Sequence, residues 1–345
     1  MMTKAKTKKI LIIAPAWVGD TLMAQPLFAL LKQQQPSAVI DIVAPRSTIM
    51  LAQRMPEIND SLELPIGHGK PKFSQRLTFG RSLRRCHYDH AIVLPNTFKS
   101  ALIPFAAKIK KRTGWLGEQR FALLNDWRKL DKKQHPNLAK RYAMLAFEKS
   151  ASPTIQLPKI SLTVDKDNQE KLIQKHTILL DKKILILCPG AAYGEAKRWP
   201  AKYYAEVANY FIKQNWQVLL LGSNKEKDAA NTIQQETKHG CLNLCGQTSL
   251  LDAIDIMALA NAAVTNDSGL MHLAAALHRP LIAIYGSTSP EHTPPLSNNS
   301  KILRVPLGCS PCFQRQCPLS GKQHLQCLTA ISATHVIENL LELDL

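Results

Sequence analysis

Two apolar runs constrain this chain more than any other feature. "KILIIAP" at 9–15 and "KILILCPG" at 183–190 open its two halves almost alike. Each is short, unbroken and rich in isoleucine and leucine, as expected of a strand buried on both faces of a parallel sheet. "AVIDIVAP" (38–45) and "HAIVLP" (90–95) follow the first, with helical patterns such as Leu22 to Gln34 between them. The second is followed by a helix from Lys202 to Gln214, "WQVLLLG" (216–222) and a helix through "NKEKDAANTIQQE". A helix from Leu250 to Ala260, "AAVTND" (262–267), a helix from Gly269 and "PLIAIYG" (280–286) complete the pattern. This alternation predicts an α/β chain of two Rossmann-like, doubly wound domains facing a central cleft. The polar stretch "TVDKDNQEKLIQKH" (163–176) separates them, which predicts domains at 1–170 and 171–345, the final helix able to pack back on the first.

A length of 345 residues with 45% hydrophobic residues suffices for two ordinary cores. No apolar run reaches the roughly 18 residues of a membrane-spanning helix. The N-terminus is basic and then apolar, but its apolar part runs only from Ile10 to Ala16 and no small-residue cleavage site precedes Val18. It reads as a solvated tail before the first strand of a cytoplasmic protein. The charge is one-sided: from His68 to Tyr142 there are 18 Lys/Arg against 4 Asp/Glu, so most of the net +18 lies there. Stretches such as "RSLRR" (81–85), "KIKKR" (108–112) and "WRKLDKK" (127–133) suit an anionic polymer or an anionic membrane surface.

Ligands of open α/β sheets bind beyond the carboxyl ends of the strands, and four loops there carry chemistry. After the first strand, "APAWVGDTLMAQP" has one glycine and a carboxylate, Asp20, where a nucleotide fold usually welcomes an anion. Gly19 is expected to turn the backbone tightly and Thr21 to open the helix. In "PGAAYGEAKRWP", Gly190 and Gly194 allow close backbone approach, while Lys197 and Arg198 offer positive charge for a diphosphate or form an exposed cation pair. Glu226, after "WQVLLLG", is an acid able to accept from ribose hydroxyls. In "TNDSGLMHLAAAL", Asp267 or Ser268 suits a helix cap, Ser268-Gly269 presents N–H groups to an anion, and His272 is either a ligand contact or a core histidine.

Four ordered stretches, "KILIIAPAWVGDTLMAQPLFALLK", "PGAAYGEAKRWP", "TNDSGLMHLAAAL" and "YGSTSPEHTPP", resemble the ADP-heptose:lipopolysaccharide heptosyltransferases (glycosyltransferase family 9) over nearly the whole chain. "CSPCFQRQCP" (309–318) is similar to the heptosyltransferase II branch. The resemblance implies a GT-B fold, with acceptor in the N-terminal domain and ADP-heptose in the C-terminal one. It implies that Asp20 is the general base for an inverting transfer and that Lys197 neutralises the ADP leaving group. Gly190, Ala192, Tyr193, Lys197, Glu226, Asp267, Ser268, Gly269, Leu270 and His272 would contact the nucleotide sugar. The implied acceptor is Kdo-lipid A carrying its first heptose, reached at the inner leaflet by peripheral docking on anionic lipid, with acceptor contacts among the cations from Lys70 to Arg141.

Where some relatives carry hydroxyl residues, this chain has Ala192 and Tyr193, so phosphate contacts there fall to backbone N–H groups. No Asp-x-Asp motif stands at a strand end; the expectation is no metal ligand set and no required cofactor, with Mg²⁺ stimulatory at most. Cys309, Cys312, Cys317 and Cys327 share only their first pair with a zinc ribbon, which leaves a structural metal, a disulfide or packed thiols open. Alternatives to heptosyltransferase II are heptosyltransferase I acting on Kdo-lipid A, a basic nucleic-acid-binding protein, and a dinucleotide dehydrogenase. No RNP or helix-turn-helix pattern supports a nucleic-acid partner, and neither first-strand loop carries GxGxxG.

Overall fold

The computed structural model describes residues 7–66, 72–151 and 154–343. Lys70 and the start of the N-terminal tail lie outside them. The chain divides into two units, Met1–Ile160 and Ser161–Leu345.

The first unit holds six strands: β1 (Lys9–Ile13), β2 (Val39–Pro45), β3 (Asp60–Leu64), β4 (His90–Val93), β5 (Lys111–Trp115) and β6 (Asp126–Arg128). They form one parallel sheet in the order β3-β2-β1-β4-β5-β6. The second unit repeats the plan with β7 (Ile184–Cys188), β8 (Gln217–Leu220), β9 (Leu242–Asn243), β10 (Ala262–Asn266), β11 (Leu281–Ile284) and β12 (Ser300–Leu303). Its order, β12-β11-β10-β7-β8-β9, is the same dinucleotide-fold order seen from the other edge. Connections run outward from the centre in two directions, so a crevice opens between β1 and β4 in one sheet and between β7 and β10 in the other. Parallel strands covered on both faces must be apolar throughout, and every residue of β7, β10 and β11 is buried.

Two local readings change. The helix expected from Leu22 to Gln34 is two, Val18–Met23 and Gln25–Gln34, because Pro26 lacks an N–H and fits only in the first turn of a new helix. The stretch read as a boundary contains the helix Lys166–His176, which packs on the helix Leu250–Met257 of the second unit. The Asn168 side chain donates 2.8 Å to Asp255, and Asp255 accepts 2.9 Å from the Asp165 N–H. The division therefore falls at 160/161, ahead of the expected 170/171. The last helix, Ala333–Leu341, packs on the helix Ala201–Lys213 of its own unit, burying Val336 and Leu340 beside Phe211 and Trp199.

Candidate functional site

In the second unit, β7 and β10 flank the switch point and a single buried side chain ties their loops together. The Asn266 amide, at the end of β10, donates to the carbonyls of Pro189 (2.9 Å) and Gly190 (3.2 Å). Its Oδ1 accepts from the Trp199 N–H at 3.0 Å. Both ends of the loop 189–199 are thus fastened to the neighbouring strand. Nothing in the motif reading singled out Asn266, although an amide inside an otherwise apolar strand was the available signal.

That fastening places Lys197, in the turn Glu195–Lys197, beside Asp267, the residue that follows β10. The Lys197 Nζ lies 2.5 Å from Asp267 Oδ2 and 5.0 Å above the Tyr193 ring. The same carboxylate oxygen accepts 2.6 Å from the Thr288 hydroxyl. Thr293 Oγ1 stands 3.5 Å from the other oxygen. Asp267 is therefore an ion-pair partner. Ser268 takes the cap position of the helix Gly269–Ala276, but its hydroxyl makes no capping bond and its buried Oγ has no partner among the described residues. The helix thus starts without a side-chain cap, and its first N–H groups and partial positive charge remain for an anion. Gly269 is the first helical residue and Leu270, next to it, is half-buried.

His272 sits one turn into this helix, buried, with Nδ1 unpartnered among the described residues. Burial drags its pKa down to about 4, while the Asp267 carboxylate pulls it up and Lys197 pushes it further down. It is a neutral imidazole near physiological pH.

Glu226, after β8, closes a capping box with Ser223, accepting from its N–H at 2.8 Å and its hydroxyl at 2.6 Å. A Cβ on Gly190 would lie 2.4 Å from Glu226 Cγ, so only glycine lets the loop after β7 pass so close to this acid. Both bonds go to Oε2. The two residues, 36 apart in sequence, become one corner of the site.

Ala192 is exposed. Tyr193 points its hydroxyl elsewhere, donating 2.5 Å to the Phe313 carbonyl. Its ring lies under two cations, Lys197 and Arg315, the latter at 5.5 Å. The Ala196 N–H donates to the Arg315 carbonyl at 3.1 Å and the Phe313 N–H to the Ser287 carbonyl at 2.7 Å. The segment 309–318 thereby clasps the lysine loop, and Tyr193, Gly194, Arg198, Phe313 and Arg315 border a pocket there. Cys309, Cys312, Cys317 and Cys327 are free thiols. Burial, then the neighbouring thiols, pushes Cys327 up to about 11. Among the described residues no group of three or more His, Cys, Asp or Glu is arranged to hold a metal.

In the first unit, Asp20 follows β1 at the corresponding switch point. It is half-buried in the first turn of the helix Val18–Met23, where the helix dipole favours a carboxylate. Gly19 and Thr21 do not act as expected. The helix begins at Val18, so Gly19 is already helical, and Thr21 is buried with its hydroxyl donating back to the Trp17 carbonyl at 2.9 Å. The helix Leu138–Ala143 packs on this one. Its buried Tyr142 phenol is held well above the ordinary tyrosine pKa, chiefly by burial and then by the Asp20 charge.

Residues 76–323 match glycosyltransferase family 9 (heptosyltransferase). The chain is 45% identical over 309 residues to lipopolysaccharide heptosyltransferase 2 of Salmonella typhimurium, covering 87% of this chain and 89% of that one. It is 48% identical over 307 residues to lipooligosaccharide heptosyltransferase 2 of Haemophilus influenzae, covering 86% and 88%. Its structure matches that of the E. coli ADP-heptose LPS heptosyltransferase II with a TM-score of 0.83 and 40% identity, over 96% of this chain and 97% of that one.

Proposed function

The chain belongs to glycosyltransferase family 9, and we propose that it is an inverting heptosyltransferase II, moving heptose from ADP-L-glycero-D-manno-heptose to the first heptose of the lipopolysaccharide inner core. The GT-B class expected from the sequence holds. The nucleic-acid-binding and dehydrogenase alternatives fall with family membership.

One observation carries the assignment of the donor site: a lysine paired with a carboxylate beside an uncapped helix start, at the strand switch of the second sheet. In this reading the ADP diphosphate takes over the Lys197 ammonium and the N–H groups at Ser268-Gly269. Glu226, beside Gly190, accepts from a ribose hydroxyl. Leu270 and His272 border the sugar, and backbone groups at Ala192 and Tyr193 face the phosphates.

Transfer then needs a base, which we assign to Asp20. Its carboxylate takes the proton from the acceptor hydroxyl as that oxygen bonds to the anomeric carbon. The bond from that carbon to the β-phosphate oxygen breaks on the opposite side, the configuration inverts, and ADP departs with the electron pair. Charge growing on the leaving diphosphate meets Lys197 and the helix start, fixed electrostatics that do the work a divalent ion would otherwise do. The reading therefore requires no cofactor.

Among the described residues no helix is long and apolar enough to cross a membrane. We place the enzyme in the cytoplasm, peripheral on the inner-membrane face where a lipid-borne acceptor meets a nucleotide sugar. The deciding experiment offers ADP-heptose with Kdo-lipid A and with its mono-heptosylated form. Preference for the mono-heptosylated lipid is the expected result. Preference for Kdo-lipid A would make the enzyme a heptosyltransferase I.

A further inference from the structure

Phenylalanines are normally buried, yet in the first unit Phe73, Phe98, Phe105 and Phe121 are each between 40% and 56% exposed. Two packed helices and one adjoining turn carry them. Phe98 and Phe105 are seven residues apart on the helix Phe98–Ala106, hence on one face, while most other side chains of that helix are buried. The Phe73 ring, opening the helix Phe73–Ser82, meets Phe98 edge-on with centroids 6.4 Å apart. The turn Arg120–Ala122, which carries Phe121, is bound to the segment leading into Phe98: the buried Arg120 donates to the Thr97 carbonyl at 3.1 Å and also to that of Pro95.

Cations frame the patch and several are pinned in place. The Arg112 guanidinium lies 5.7 Å over the Phe105 ring and donates 2.7 Å to the Leu123 carbonyl. Arg84 Nε donates 2.9 Å to the Ala106 carbonyl, beside Phe105. Lys72 directly precedes Phe73, and Lys108 and Lys110 closely follow Phe105, all three exposed. Few carboxylates answer them: of the four in 68–142, Asp126 is bound to Arg128 at 3.0 Å and Glu118 accepts from the Phe98 N–H at 2.7 Å. A nucleic-acid duplex would meet these cations with its phosphates but, its bases stacked on one another, leave four rings without an apolar partner. A bilayer with anionic headgroups satisfies both, since phenylalanine enters the headgroup–acyl boundary while lysine and arginine stay with the phosphates.

We propose that this face is a membrane-docking surface, in which Phe73, Phe98, Phe105 and Phe121 insert into an anionic bilayer and Lys72, Arg84, Lys108, Lys110 and Arg112 hold its headgroups. It deepens the peripheral placement above, but its binding step does not depend on the transferase reading. No residue in it belongs to the donor site or is the assigned base.

The test is co-sedimentation with vesicles of phosphatidylglycerol and phosphatidylcholine in equal parts, and with phosphatidylcholine alone, from low salt to about 0.15 M. The intact chain should bind the anionic vesicles, more weakly as salt rises, and the neutral ones little. Phe98→Ser with Phe105→Ser should weaken binding about tenfold or more through lost apolar burial. Lys108→Glu with Lys110→Glu should remove the preference for anionic lipid. Both variants should keep the wild-type melting temperature and its increase with ADP, and the serine variant should also keep transfer to a deacylated, lipid-free acceptor. Equal binding by wild type and the serine variant, or none by wild type at low salt, overturns the proposal. So does light scattering that shows a wild-type dimer made monomeric by the serine pair, since the face would then belong to a second copy. Failure to transfer heptose to the lipid-free acceptor, with vesicle binding intact, would count against the transferase reading alone.

Discussion

The Lys197 ammonium and the Asp267 carboxylate meet at 2.5 Å, so the cation assigned to the diphosphate is already neutralised within the protein. Donor binding must exchange one anion for another. The Thr288 hydroxyl, 2.6 Å from the same oxygen, holds the carboxylate that Lys197 would leave. Replacing Lys197 by Ala should lower kcat roughly 10²–10³-fold, the usual cost of losing one preorganised charge-stabilising group, as measured by ADP release.

Thr288→Val keeps the shape and removes the hydroxyl. A hydrogen bond to a charged group contributes about 1.5–3 kcal/mol, so the variant should melt lower, and Thr288→Ser should restore most of the loss. Thermal unfolding of the three proteins checks this; a valine variant as stable as wild type would mean the bond contributes nothing.

Asp20→Asn removes the assigned base without changing the size of the side chain. Turnover should fall roughly 10²–10⁴-fold while ADP-heptose still binds. Near-wild-type turnover would reduce Asp20 to favourable helix-end electrostatics, and loss of donor binding or of folding would make it structural.

Because the proposed mechanism sets fixed cationic groups against the leaving diphosphate, turnover should survive EDTA. Complete loss that Mg²⁺ alone restores would refute the metal-independent assignment.

Acid should destabilise the protein through two buried histidines. Burial lowers His272 to about 4 and His90 to about 3, whereas both titrate near 6.5 in the unfolded chain. The unfolded state then binds more protons below that value. Stability is full above about pH 6.5 and declines as the pH falls toward 4 and then 3. His90→Asn should lessen that decline from about pH 6.5 downward in urea melts, most plainly between 4 and 3, where His272 no longer contributes.

Seven of the eight inner strands and the loops at their carboxyl ends could be read from the sequence because burial on both faces leaves long apolar runs; the exception is β5, whose "KRTGW" opens on two cations and reads as part of a basic stretch. All four edge strands, β3, β6, β9 and β12, escaped the reading. An edge strand has one neighbour and a solvated side, so "DSLEL" and "DWR" carry no such run. The site was legible as far as single loops go: Gly190, Lys197, Glu226 and Asp267 were all named. What joins them was not. Asn266, Thr288 and Thr293 act through contacts with residues 20 or more positions away, set by strand order, which spacing along one loop cannot show. The partner of the Tyr193 hydroxyl was out of sight for the same reason, Phe313 lying 120 residues away.

The strand order also fixes when the donor corner can exist during synthesis. Lys197 emerges soon after β7 and Asp267 after β10, but Thr288 leaves the ribosome only once five of the six strands of its sheet have been made. A nascent chain ending before β11 therefore has the lysine and the aspartate without the hydroxyl that holds the carboxylate. Nucleotide-sugar binding should arise late and all at once, a direct kinetic result of closing a site through contacts far apart along the chain.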